Sequence, residues 1–316
     1  MMVLIFDGKT AAGGMREGIN ICMQTLIPSL FPFLVLSGVL TSALTGQTIL
    51  PLHPINKICR MTPGCESLFA VGILGGYPVG AVTVANAYRS GFLTKSEANR
   101  YTIICNNAGP SFLFGVISHV FADISWTVCL WLIQITAAIL TGFTLDGNNG
   151  KRIVIEPDHL TLSDAVNKAL RNMAGICAWV VLFRMFLAFA DRWMFDKFPR
   201  TMQVFLSGLL ELSNGCLRLE WIADPVCRFH SATALLSIGG FSILMQTKAV
   251  FPQLNIRYYI CGKLIHLLYS LLLSSTAILL MNGERTTITA ILADLTIVWA
   301  IRHYTTRKTK KEVAIP

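Results

Sequence analysis

Apolar residues fall along this chain in blocks of bilayer-spanning length, and the blocks are of two kinds. Seven stretches, about 19–44, 101–121, 124–143, 173–190, 230–250, 258–281 and 286–302, are apolar over the roughly 17–25 residues a helix needs to cross a membrane. Their polar residues do not recur at the spacing of a water-facing helical stripe. Two further stretches, about 67–92 and 202–223, are interrupted near their centres by Gly, Asn or charge. In "GILGGYPVGAVTVANAYRSG", Gly72 to Gly91, the run Gly75, Gly76, Pro78 and Gly80 breaks the helix that its apolar neighbours favour. A lone glycine serves close helix packing in membranes. Gly-Gly followed by Pro within one turn also removes a hydrogen bond and kinks the chain. Both stretches therefore read as re-entrant hairpins. Backbone groups freed at a break cannot face lipid, so they are covered by protein or line a wet cavity. Each break marks a candidate site.

Composition points to the same solvent. Of 316 residues, 53% are hydrophobic and 14% are Asp, Glu, Lys or Arg, against about a quarter charged in a soluble domain. The mean hydropathy is +0.59. Basic residues are unevenly spread. With hairpins that return to the side they entered, one side carries Lys57, Arg60, Arg89, Lys95, Arg100, Lys151, Arg152, Lys168, Arg171, Lys248, Arg257 and the tail from Arg302 to Lys311. That is roughly twice the load of the other side, which carries Lys9, Arg16, Arg192, Lys197, Arg200, Arg218, Arg228 and Arg285; the richer side is expected in the cytoplasm. This bias accounts for the net charge of +9 without nucleic acid, which would want basic patches interleaved with aromatics on a soluble domain. The basic tail suits membrane lipid headgroups. Met1–Phe6 is too short for a signal-peptide core.

The chain also repeats itself. "REGINICMQTLIPSLFPF" (16–33) and "NKALRNMAGICAWVVLFRMF" (167–186) each run from a polar segment into a span. Each is followed by an interrupted segment, "GGYPVGA" (75–81) and "ELSNG" (211–215), and then by a span carrying Gly and small polar residues, "NNAGPSFLFG" (106–115) and "SIGGFSILMQ" (237–246). The offsets are 136 residues from Gly75 to Glu211 and 133 from Asn106 to Gly239. Each unit holds an odd number of crossings, so the second copy lies upside down relative to the first, the inverted-repeat plan of secondary transporters. The expected architecture is all-α and polytopic: a first repeat at 10–145, a linker at 146–172, a second repeat at 173–282, and a C-terminal span with basic tail at 283–316. The linker carries Asp146-Gly147 and Pro157 as turn chemistry, then an interfacial amphipathic helix from Thr161 with Ser163 as its N-cap. Whether copies of the chain form a homo-oligomer is open.

Catalytic chemistry finds little support. The nine cysteines form no CxxC pair and most lie within apolar runs, so neither a disulfide framework nor a metal site is expected. The histidines include no HExxH. Ser111 and His119 are eight residues apart, about two turns, too far for a nucleophile and its base on one helix. No cofactor is implied, and an enzyme is not expected.

"GGYPVGA" followed by "CNNAGPSFLFG", with "GLLELSNG" and "GGFSILMQ" in the second half, resembles the nucleoside-recognition or Gate domain, and among such proteins the sporulation integral membrane proteins of the YlbJ type, also called SpoVV. The resemblance covers about residues 10–300 and is more distantly similar to concentrative nucleoside transporters. It implies a role in endospore formation, with dipicolinate crossing the mother-cell-derived membrane around the forespore. Two departures stand out: a hydrophobic segment common in members is reduced here to Met1–Phe6, and Val82 stands where many members are expected to carry lysine. For a flat aromatic dianion, the helix N-termini at the breaks offer amide donors. Gly76, Gly80, Asn214 and Gly215 would admit a carboxylate to the backbone, and Tyr77 and Phe112 would cover the ring. Asn106, Asn107 and Ser111 beside Gly109-Pro110, with Ser213, Ser242 and Gln246 in the second half, are the further polar candidates. Arg184 and Glu211 are charges at membrane depth, where pairing or function is the default. They either pair with each other, or Arg184 faces a substrate carboxylate while Glu211 couples transport to a proton or sodium ion. The rival readings are a nucleoside carrier and a non-transporting sporulation assembly protein.

Overall fold

The computed structural model describes residues 7–44, 49–147, 161–281, 283 and 287–313, and the regular elements among them are helical. Met1–Phe6, Lys151, Arg152, Pro157 and Arg285 lie outside the described residues. The chain opens with α1 (Gly8–Ile21), a wide π-helical turn (Cys22–Leu26) and α2 (Ile27–Leu44), which run as one long helix. A short α3 (His53–Ile58) leads to α4 (Glu66–Gly75) and α5 (Val79–Arg89). Then come α6 (Lys95–Cys105), a π-helical turn (Leu113–Ile117) opened by Pro110, and the long α7 (Ile124–Thr144). The second half holds the long α8 (Leu162–Trp193), α9 (Arg200–Leu210), α10 (Leu212–Leu217), α11 (Pro225–Ile238), α12 (Gly240–Val250) and the long α13 (Ile256–Met281). A final helix, α14 (Thr287–Val313), closes the chain.

One order of elements occurs twice: long helix, helical hairpin, broken helix, long helix. Both hairpins form where the sequence is interrupted. Gly72 and Gly80 lie four residues either side of Gly76, and a methyl group on either would collide with the Cys105 carbonyl, so α4 and α5 fold back on each other against the end of α6. The turn uses Gly76 at φ 63° and Pro78 as the N-cap of α5. In the second half Gly215 packs on Gly208 across Glu211, which folds α10 back on α9. The broken helices differ in cause. After Cys105 the helix stops at Asn106 and restarts at Pro110, a residue with no N–H to give to the preceding turn. Between α11 and α12, Gly239 and Gly240 both take positive φ, 76° and 73°, a pair of conformations that only glycine adopts freely.

Five helices are long and apolar enough to cross a membrane among the described residues: Gly8–Leu40, Ile124–Thr144, Leu162–Trp193, Pro225–Val250 and Ile256–Met281. The expected span at 101–121 is instead a broken helix. The expected span at 286–302 lies in α14, which is helical but not among the five; Asp294 and Arg302 interrupt its apolar run. The expected interfacial helix before 173 is not separate either. Thr161, not Ser163, is the N-cap, in a capping box with Asp164, and the helix it starts runs unbroken to Trp193.

The largest helix contact joins α8 to α1. Gly14 and Gly18, one GxxxG pair, let Val181, Arg184 and Met185 of α8 approach the α1 backbone. Two larger apolar cores lie among the described residues. One gathers Leu26, Leu30, Leu34, Tyr77, Phe112, Leu113, Leu212, Cys216 and Phe229 around the hairpin tips. The other packs Phe69, Val84, Tyr101, Ile104, Phe251 and Tyr259 around the base of the first hairpin. Arg100 is buried at that base, with its guanidinium donating to the carbonyls of Arg60, Cys59, Gly142 and Leu145, so one side chain of α6 ties the segment after α3 to the end of α7.

Candidate functional site

The two halves meet at a cavity of about 30 Å³. The first hairpin contributes Tyr77, the first helix break Ser111 and Phe112, the second hairpin Glu211, Leu212 and Ser213, and the second broken helix Ile243 and Gln246. Leu30 and Leu34 of α2 and Ile176 of α8 complete an apolar wall. Tyr77 and Phe112 lie with ring centroids 6.1 Å apart, tilted by 58°, and form the aromatic face. The Tyr77 hydroxyl and Gln246 Oε1 are buried here without a hydrogen-bond partner. Unpaired buried polar atoms are disfavoured by about 1–3 kcal/mol each unless water or ligand answers them. A volume of about 30 Å³ holds water but not an aromatic ring, so solute entry requires the walls to part.

Among the described residues, Glu211 is the only charged side chain lining the cavity. It is 2% exposed, and its carboxylate caps α10, accepting from the Asn214 backbone N–H at 2.8 Å and from Asn214 Nδ2 at 2.9 Å. Ser242 Oγ donates to its other oxygen at 3.5 Å. The expected pairing of Arg184 with Glu211 is therefore not what forms. Arg184 donates to Glu17 at 2.6 Å and to Asp191 at 3.0 Å, and Asp191 also accepts from Arg218 at 2.6 Å. The cause is the tight α1–α8 contact, which sets Glu17 beside Arg184. Nor does Arg184 line the cavity.

The remaining predicted residues divide by position. Tyr77, Ser111, Phe112, Glu211, Ser213 and Gln246 line the cavity together. Gly76, Gly80 and Gly215 do not: their open faces are filled by Gly109, Cys105 and Gly208. Asn214 spends its amide and N–H on Glu211, and Ser242 lies behind that carboxylate. The amide donors expected for an anion are already used within the chain. Tyr77 N donates to the Asn107 carbonyl at 2.9 Å, Gly80 N to the Gly76 carbonyl at 2.9 Å, and Ala81 N to Asn106 Oδ1 at 3.3 Å.

Asn106 and Asn107 hold the first break together behind the cavity. Asn106 Nδ2 donates to Thr247 Oγ1 at 2.9 Å and to the Tyr259 hydroxyl at 3.2 Å, so it bridges the first break to α12 and α13. Asn107 Nδ2 donates to the Ile104 carbonyl at 2.7 Å. A partner missed in the sequence is Lys263, whose ammonium donates to both residues. Its signal was present, an ionisable side chain inside an apolar span. One turn along, His266 Nε2 meets the Gln134 carbonyl at 3.3 Å.

One known protein bears on this arrangement. The sporulation integral membrane protein YlbJ of Bacillus subtilis (strain 168) is 21% identical over 293 residues, covering 77% of this chain and 71% of that protein. This chain is similar to a sporulation membrane protein. The likeness and the five apolar helices together give it a membrane location and an all-α polytopic fold. No family model matches, including any for the Gate domain, and no solved structure matches.

Proposed function

We propose that this protein is a carrier for a small planar solute, bound at the cavity between the two hairpins and released by alternating access. The observation that carries the reading is the convergence of both hairpin tips and both broken helices on one partly polar cavity. Discontinuous helices meeting at mid-membrane are how secondary transporters build their sites. In this reading the twice-repeated order of elements is an inverted repeat, the hairpins are re-entrant, and the basic side faces the cytoplasm. Similarity to a sporulation protein makes dipicolinate the first solute to test, in the membrane around the forespore.

The lining constrains the solute's charge state. Among the described residues no lysine or arginine lines the cavity and Glu211 does, so a dianion is repelled unless that carboxyl is protonated. Dipicolinate therefore travels with a proton on Glu211. A second reading rests on the same residue: ionised Glu211 and the Gln246 carbonyl oxygen accept hydrogen bonds from the hydroxyls of a neutral nucleoside, with its base against Tyr77 and Phe112.

The test is uptake of labelled dipicolinate and labelled uridine into vesicles containing the purified chain. Saturable dipicolinate entry that accelerates as external pH falls, that Y77A reduces at least tenfold with normal protein abundance, and whose pH dependence E211Q abolishes, is the expected result. Uridine entry alone shifts the substrate to the nucleoside class. Entry of neither above protein-free vesicles removes the carrier reading in favour of an assembly role.

A further inference from the structure

Lys263 sits on α13 at 4% exposure, apart from the cavity lining. Its Nζ donates to the Asn106 carbonyl at 2.7 Å and to Asn107 Oδ1 at 2.8 Å, and lies 5.7 Å from the Tyr259 ring centroid. None of the ion pairs among the described residues includes it. A buried ammonium ordinarily needs a carboxylate, because an uncompensated charge in a dry interior is strongly destabilising. Here the charge is answered by neutral oxygens, by an aromatic face and by the C-terminal, negative end of the α6 dipole. The Asn106 carbonyl is available only because the helix stops there.

Carbonyls freed at an unwound helix, at the negative end of a half-helix, are also the ligands with which ion-coupled membrane carriers hold sodium. We propose that Lys263 is a tethered cation filling the alkali-ion site of the first helix break, so that this protein binds no sodium there. The geometry gives the charge a task. Asn106 and Asn107, which receive the ammonium, also receive Ala81 N and Tyr77 N from the first hairpin. The cation thereby orders the hairpin tip that carries Tyr77 into the cavity. On the carrier reading, which this inference deepens and on which its coupling consequence rests, a sodium gradient drives nothing and Glu211 remains as the ionisable group at the cavity.

The test compares thermal unfolding of the purified full chain in sodium chloride and in choline chloride at equal ionic strength. The unsubstituted protein unfolds at the same temperature in both. K263A and K263Q unfold earlier in choline and recover by at least about 3 °C in sodium, saturably, because a ligand that binds only the folded state stabilises it. Adding N107A to K263A abolishes the recovery. A sodium-dependent rise in the unsubstituted protein overturns the proposal. So does absence of a sodium response in both Lys263 variants, including failure of both to fold in either salt. Uptake separates the two readings: absence of solute flux sinks the carrier reading and leaves the unfolding data to decide this one, whereas flux that requires sodium sinks the tethered cation alone.

Discussion

Glu211 and Arg184 show how far one residue type in one place constrains its role. Both are ionisable groups among apolar helices, Arg184 within α8 and Glu211 at the break between α9 and α10, and the rule that such groups pair or function holds for each. Their partners follow from packing. Arg184 is claimed by Glu17 and Asp191, and Asp191 is shared with Arg218, whose other arm donates to Ser207 at 2.7 Å. D191N weakens the charge compensation of two mostly buried arginines and is expected to lower stability by about 3 kcal/mol, read as a fall in unfolding temperature of about 6–12 °C. Glu211 instead serves as a helix cap and cavity wall. E211A removes the cap and is expected to lose about 1 kcal/mol of stability. E211Q keeps a carboxamide oxygen for Asn214 N, so it should fold nearly normally while losing the pH dependence of uptake, a separation that binding and unfolding measurements on the same preparation would detect.

At the scale of elements, the two hairpin breaks were legible because breakers and caps are local chemistry. Gly76-Tyr77-Pro78 and Glu211 end helices inside the two stretches expected to be interrupted, whereas the breaks at Asn106 to Pro110 and at Gly239-Gly240 fall inside stretches expected to span. The purpose of the glycines was less legible, since a missing Cβ serves a ligand or a neighbouring backbone equally well. G80A drives a methyl group into the Cys105 carbonyl, and overpacking of that kind costs about 1–3 kcal/mol. G175A, in α8 with open space around it, should be neutral or slightly stabilising. Parallel thermal melts of the two variants check the contrast. The capping box that starts α6 gives a pH signature. Burial opposes the charge on Glu97, but hydrogen bonds from Thr62 and from the backbone and hydroxyl of Thr94 outweigh it and hold the carboxyl below its ordinary value. A depressed carboxyl contributes stability above its unfolded value of about 4.3, lost as pH falls through the folded one. E97Q is therefore expected to be less stable than the unsubstituted protein at neutral pH, with the gap closing in strong acid.

For the whole molecule, the doubled order of elements and the charge bias combine into a topology that labelling can test. In a cysteine-free background, Ser90→Cys and Asp196→Cys lie at exposed positions expected on opposite faces of the membrane. A membrane-impermeant thiol reagent on intact cells should modify the second and spare the first; the reverse pattern inverts the proposed orientation, and modification of both removes it. What the sequence determined by itself is the solvent, the helical class and the two hairpin breaks, because hydropathy, glycine, proline and capping residues act over a few turns. Which side chains share the cavity, that Arg184 looks toward Glu17 and away from Glu211, and that Lys263 closes the first break from 156 residues away were decided only by tertiary structure. Each of those depends on which helix faces pack, and packing is set by close approach at small residues such as Gly14 and Gly18, whose partners lie far along the chain.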